Sequence, residues 1–345
     1  MNRSLSTERR AGENVFLVGA LSYEERCVGA LAALSRRDRE LQGVFLDYGT
    51  TATPGATATT RRQTNWEKIE DITRSQTDWV CHRSSSNPYA MDDLAQVLDD
   101  AAKLERGRLV VDVTCMTKPH LLAAASWLAV HPEVSWTLAY ATPKNYGDVQ
   151  RSIDSGVQAT LTLPLGPHPS LRNQGLSLGL FILGAEAGRA AIALEELEPS
   201  AGLIVLVTRS DRADFEANTL AQNDQLVSYL SSLVLAGPRV VDSGFAQIWP
   251  SKGWEFREFR NETLVSDTYN HLVNELIPAA ELLDSPIVLY PFGPKDAVFM
   301  ASFVLARLYP HASWSIYPVL DTHPLDYSEG LHGLRWLSSE EVNSV

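Results

Sequence analysis

Cysteine is scarce in this 345-residue chain. Only Cys27, Cys81 and Cys115 occur, with no C-x-x-C pair, so neither a disulfide framework nor a cysteine-rich zinc site is expected, and a reducing compartment is the simpler setting. Basic residues are the minority: 29 Lys plus Arg stand against 42 Asp plus Glu, a net charge of -13. That balance opposes non-specific attraction to duplex DNA or anionic lipid, while leaving room for a locally basic pocket. Long apolar runs are also missing. The start, Met1 to Asn14, has no apolar leader, and the longest uncharged stretch, Ser155 to Leu171, is short and broken by Pro164, Pro167 and Pro169, so no membrane contact and a cytoplasmic location are expected. Neither G-x-x-x-x-G-K-[ST] nor a G-x-G-x-x-G after the first strand is present, which disfavours the common phosphate-handling machines. The one G-x-S-x-G match, Gly175 to Gly179, leads into an expected strand instead of out of one, so it is no nucleophile elbow. The eight histidines are scattered, and no metal or other cofactor is expected.

What is present is an ordinary globular composition, 45% hydrophobic and 21% charged, on a length that suits two domains. Short apolar runs alternate with amphipathic ones: Val15 to Ala20, Gly43 to Tyr48, Trp79 to Cys81, Leu109 to Val113 and Val134 to Ala141 read as strands, with helices between them. The order recurs from Leu178 to Leu183, through Leu203 to Thr208, Pro238 to Val241 and Ile287 to Tyr290, to Ser313 to Tyr317. The expected fold class is therefore α/β, two tandem Rossmann-like units, each a mainly parallel sheet flanked by helices. The expected division is 1–165 for the first unit, 166–176 for a linker, and 177–345 for the second, a degenerate repeat of the first. Pro132, Ser135 and Trp136 answer Pro310, Ser313 and Trp314 at one offset, and Lys118 answers Lys295 at the start of the fourth helix. Gly19-Ala20 and Gly184-Ala185 are read as a further echo.

In open parallel sheets ligands bind beyond the carboxyl ends of strands, where loops enter helix N-termini. After the fourth strand the chain reads Asp112-Val113-Thr114-Cys115-Met116-Thr117-Lys118-Pro119. Pro119 suits a first helical turn and Thr117 its cap. Thr114, Thr117 and Lys118 offer two hydroxyls and an ammonium for a phosphate or ribose, and the second half offers Gly293 and Lys295. After the first strand, Ser22 with Glu25 fits a capping box, while Tyr23 and Arg26 could stack on and pair with a nucleotide; an ion pair of Arg26 with Glu24 or Asp112 is the plainer reading. Were the protein an enzyme acting on a nucleotide or nucleoside, Asp112 or Glu24 would serve as base or nucleophile and Lys118 would stabilise negative charge. The stretch Trp249 to Arg260, with Trp249, Trp254 and Arg257, suits a surface that meets a base or a partner protein; a scaffold without a small ligand would use it too.

The run Asp112 to Ala125, with Thr114, Thr117-Lys118 and an Ala-rich helix, resembles the Thr-Gly-Gly-Thr-Lys junction of CARF domains, the Rossmann-like sensors of prokaryotic antiviral systems. Cys115-Met116 stand in place of the two glycines. A fused pair of such units is also how the related SAVED domains look. The resemblance implies a sensor or scaffold that binds a cyclic or linear oligonucleotide between its halves, with Thr114, Thr117, Lys118 and Lys295 at the motif positions. Since both units are spent on sensing, it also implies an effector protein chain as partner.

Overall fold

The computed structural model describes residues 14–36, 40–49, 55–103, 107–146, 157–166, 177–184, 202–209, 221, 223–224, 254–260, 264–282, 284–320 and 328–344. The first half supplies β1 (Asn14–Leu21), a 3-10 turn (Glu25–Val28) running into α1 (Gly29–Leu34), β2 (Leu41–Asp47), α2 (Ala56–Arg74), β3 (Trp79–Ser85), α3 (Met91–Ala102), β4 (Gly107–Asp112), α4 (Lys118–Val130), β5 (Trp136–Tyr146) and β6 (Val157–Pro164). The second supplies β7 (Leu178–Leu183), β8 (Gly202–Arg209), β9 (Trp254–Arg260), α5 (Leu264–His271), a π-helical turn (Leu272–Leu276), α6 (Ile277–Leu282), β10 (Ile287–Pro291), α7 (Lys295–Leu308), β11 (Ser313–Leu320), β12 (Ser328–Ser338) and α8 (Ser339–Asn343).

Two six-stranded sheets result, sheet A in the order β12-β5-β4-β1-β2-β3 and sheet B in the order β6-β11-β10-β7-β8-β9. Within each, five strands are parallel in Rossmann order and the sixth is antiparallel at one edge. This is the α/β, mainly parallel, helix-flanked fold that the alternating runs predict. The sheets are not, however, the two halves of the chain. β6 precedes the expected linker yet pairs with β11, and β12 ends the second half yet pairs with β5. Each half therefore lends its last strand to the sheet of the other. Separating the halves at the expected boundary would strip both sheets of an edge, because the partner of each lent strand among the described residues lies across that boundary.

Alternation along β1 explains the layering. Val15, Leu17 and Leu21 face a core shared with α1 and Ile69 of α2, whereas Val18 and Ala20 face the opposite core. That second core is continuous across the molecule. It holds Leu94 and Leu98 of α3, Val111 of β4, Leu138 of β5, Leu180 and Ile182 of β7, Leu289 of β10 and most of α4 and α7. Both central helices are apolar nearly all round, as a helix enclosed on every side must be. Across the halves, Trp136 of β5 packs edge-on against Phe299 of α7 at 5.5 Å.

Several expectations change. Gly19-Ala20 lies inside β1 but Gly184 follows the end of β7, so those two are not equivalent positions. The Pro, Ser and Trp echo is positional: both sets link a fourth helix to the next strand. The third strand of sheet B is Trp254–Arg260, so the aromatic stretch read as a loop surface contains an edge strand paired to β8. The strand expected at 238–241, the helix expected at 185–197 and most of the linker lie outside the described residues. Ser22 does not form a capping box: its hydroxyl accepts from Glu24 N at 3.2 Å, and no side chain caps the 3-10 turn. Thr117 stands at the cap position of α4 without capping it; its hydroxyl donates to Pro88 O at 2.6 Å.

Candidate functional site

In sheet A the chain runs outward from β1 through β2 to β3, then returns to place β4 on the other side of β1. The crevice beyond β1 and β4 is thus the topological switch point, where the two following loops diverge. Glu24, Arg26, Asp112, Thr114 and Cys115 come from those loops and strand ends. Lys295, at the start of α7 in the other half, completes the group.

Arg26 is buried. One amino group donates to Ala141 O at 2.6 Å; the other donates to the Glu24 carboxylate and to Ser328 Oγ, the latter at 2.7 Å. Ser328 in turn donates to the same Glu24 oxygen. Arg26 Nε is buried and has no hydrogen-bond partner among the described residues. Burial works against charge on Glu24, but Arg26, Lys295 and the Ser328 hydroxyl more than offset it and hold its carboxyl below the usual range. Glu24 is the ion-pair partner of Arg26, one of the two that the sequence allowed.

Asp112 is buried at the end of β4, and burial pushes its carboxyl up to about 6 although Thr114, Lys295 and Arg26 pull the other way. Its Oδ1 accepts from Thr114 N at 3.0 Å. The Thr114 hydroxyl accepts from Ala141 N at 2.8 Å, so this side chain ties β4 to β5. Lys295 Nζ donates to Thr114 O and Met116 O, both at 2.7 Å, and burial draws its ammonium below the ordinary lysine range. Lys118 makes the reciprocal crossing, donating to Gly293 O at 2.5 Å. The two lysines that echo each other in sequence therefore lock each half onto the loop of the other. Lys295 does so beside the carboxylates of Glu24 and Asp112.

Helix α2 braces the same crevice: Asn65 Nδ2 donates to Ser22 O at 2.9 Å. In the second half Asn223 Nδ2 donates to Gly184 O at 2.8 Å, a matching brace that sequence reasoning missed because the two asparagines share no surrounding motif. Beside α4, His120 is fully buried between Tyr48 OH at 2.9 Å and Ala90 O at 2.9 Å. Ala90 O only accepts, so Nε2 carries the proton and Nδ1 accepts from the tyrosine. At the end of β2, Asp47 is taken by Arg83 at 2.5 Å and Arg62 at 3.3 Å.

The crevice of sheet B is built differently. Residues 292–294 join β10 to α7, against 113–117 between β4 and α4. A Cβ on Gly184 would lie 2.0 Å from Phe292 O, and one on Gly293 2.3 Å from Ile182 Cγ2. Backbone meets backbone there, and the strand end carries Leu289, Tyr290 and Pro291 where sheet A has Asp112.

Of the expected site residues, the structure brings together Glu24, Arg26, Asp112, Thr114 and Lys295. Ser22 and Tyr23 lie half-buried at the edge of that crevice. Thr117 turns to Pro88, and Lys118 and Gly293 hold each other. Trp254 and Arg257 sit in β9, and Trp249 lies outside the described residues. Ser328 is the site residue that sequence reasoning missed. Among the described residues no group of three His, Cys, Asp or Glu could hold a metal ion, and no helix is long and apolar enough to cross a membrane.

Comparison with known proteins finds no matching family model and no matching curated protein. Among solved structures, the cytoplasmic domain of a prokaryotic cation chloride cotransporter aligns over 89% of this chain and 95% of its own, at 9% identity and a TM-score of 0.26. Leucoanthocyanidin reductase of Vitis vinifera, solved with NADPH, aligns over 88% and 92% at 10% identity and a TM-score of 0.23. Neither likeness carries an argument about this chain.

Proposed function

We propose that this chain is a nucleotide-binding sensor or scaffold subunit that acts through a partner effector protein, with its ligand taken up in the β1/β4 crevice of sheet A. The observation that supports the reading is the buried charge at the switch point. Burying ions costs several kcal/mol each, and a fold that needed only to join two halves would do better with apolar residues, as it does along α4 and α7. Perturbed ionisable groups gathered in a crevice are the usual mark of a binding or catalytic site. Because Lys295 and Ser328 come from the second half, a ligand held there would alter how the halves grip each other, which is what a sensor requires. The cytoplasmic setting, the oligonucleotide class of the ligand and the antiviral assembly belong to this proposal through the resemblance of the Asp112 to Ala125 junction.

The test is thermal unfolding against mono-, di- and cyclic oligonucleotides, with Lys295→Ala and Lys118→Ala alongside. The expected result is a saturable rise of the melting temperature, abolished by Lys295→Ala and retained, from a lower baseline, by Lys118→Ala. No rise with any nucleotide overturns the reading. A second reading, turnover of the bound nucleotide, is favoured by one observation, the Asp112 carboxyl near 6 beside Lys295, a pairing suited to proton transfer near neutrality. It predicts product in a chromatographic assay of the same mixtures, lost in Asp112→Asn.

A further inference from the structure

Two donors and a further cation, from three separate elements, gather around one side chain. Arg26 NH2, from the turn after β1, and Ser328 Oγ, from β12, both donate to Glu24 Oε2, and Lys295, from α7, adds its charge. Arg26 is anchored from behind by Ala141 O and Lys295 by two carbonyls of the strand-four loop, so both cations keep their places whether or not Glu24 does. Arg26 retains a buried N–H with no acceptor among the described residues. Glu24 itself belongs to the loop, keeps 13% of its side chain exposed, and is followed by a turn that no side chain caps. A guanidinium, a hydroxyl and an ammonium around one doubly acceptor group is the donor set that phosphoryl oxygens take.

We propose that Glu24 occupies an anion-binding position, standing in for a phosphoryl group of the ligand, which displaces it to bridge Arg26, Ser328 and Lys295. This rests on the proposed nucleotide-binding reading and adds to it a site for one phosphoryl group and a built-in competitor. Among the described residues the crevice of sheet B shows no such place, since Gly184 and Gly293 lie against Phe292 and Ile182. Exchange of Glu24 for the ligand changes the partner of Ser328, the first residue of β12, and that links occupancy to the strand exchanged between the halves.

Isothermal titration calorimetry of the full chain with inorganic phosphate, pyrophosphate and adenosine monophosphate tests this in wild type, Glu24→Gln, Glu24→Ala and Arg26→Met. Removing the competitor is expected to tighten pyrophosphate or adenosine monophosphate at least tenfold in Glu24→Gln, and by a similar factor in Glu24→Ala, at one site per chain, with binding lost in Arg26→Met. Circular dichroism of each variant separates loss of binding from loss of fold, and the two Glu24 variants guard against a defect of either one. Tightening for inorganic phosphate and pyrophosphate alone identifies a free-phosphate site; tightening that grows with the nucleoside identifies a nucleotide. Both outcomes support the displacement. Unchanged or weaker binding in both Glu24 variants overturns it, leaving the nucleotide reading intact if the wild-type panel still shifts. Failure of every probe with every variant overturns both.

Discussion

The two switch-point crevices of this chain share a frame and differ in what fills it. In sheet A five residues, 113–117, leave the fourth strand, curl over Lys295 and leave room for charged side chains. In sheet B three residues, 292–294, do the same work, and the backbones of Gly184 and Gly293 meet in the space. Both crevices keep the bracing asparagine, Asn65 or Asn223, and both keep the lysine that crosses to the other half. The bracing and crossing contacts thus occur at both crevices, while among the described residues the buried charge cluster stands at the sheet A crevice.

The largest way to break this comparison is to put a methyl group into each crevice. Gly184→Ala sets a Cβ 2.0 Å from the Phe292 carbonyl oxygen, a backbone atom that cannot swing aside, so a loss of several kcal/mol, enough to abolish folded protein, is expected. Gly19→Ala, on β1 beside Asp112, meets first the Phe45 ring at 3.2 Å; the ring can shift, and a cost of about 1 kcal/mol is expected. Soluble yield and chemical denaturation of the two variants decide the matter. Equal tolerance would mean that the sheet B crevice is not closed.

A second comparison concerns halves against sheets. Because β6 and β12 are exchanged, a protease site placed within 167–176 and then cut should leave the two fragments in one particle, held by the paired strands and by α4 against α7. Size-exclusion chromatography of the nicked protein at micromolar concentration reads this directly. The expected penalty is a melting temperature that becomes dependent on concentration, with the fragments still together below it. Separation on nicking would show that each half completes its own sheet.

How much of this was legible in sequence differs by link. β1, β4, β7 and β10 are short apolar runs, and α4 and α7 are longer ones apolar nearly all round, so apolar content and run length find them. β6 alternates Val157, Ala159, Leu161 and Leu163, a strand signal, but nothing local says that its partner is β11, some 150 residues on. β9 carries aromatic and charged residues in place of a clean apolar run, as an edge strand can, and was read as surface. Glu24, Arg26 and Asp112 are legible because they lie at or just beyond the ends of parallel strands, and Lys295 because it answers Lys118 at the start of a helix. Ser328 was not, since it reaches the site only through the strand exchange, and Thr114 and Lys118 were read as ligand donors because sequence does not reveal that backbone groups of the fold already satisfy them.

The finest distinction between the crevices is a proton. Asp112 has no acidic counterpart in sheet B, and its folded-state carboxyl sits near 6 against 3.8 for an unperturbed one. Between those values the unfolded chain has released the proton while the folded chain keeps it, so stability falls as pH rises from about 4 to about 6, by on the order of 2 to 3 kcal/mol. Glu24 acts in the opposite sense: its lowered carboxyl adds stability above its unfolded value, and that is lost as pH falls. The net profile therefore mixes two slopes, and a wild-type curve alone does not resolve them. Asp112→Asn isolates one. Its amide oxygen can still accept from Thr114 N, it carries no charge to bury, and it should match wild type near pH 4 and exceed it above pH 6. Urea denaturation at both pH values measures the difference. A variant less stable than wild type at pH 7 would mean that the ionised carboxylate is favourable in the empty crevice, and that the charge cluster of sheet A is a structural ion network instead of a site held ready for a ligand.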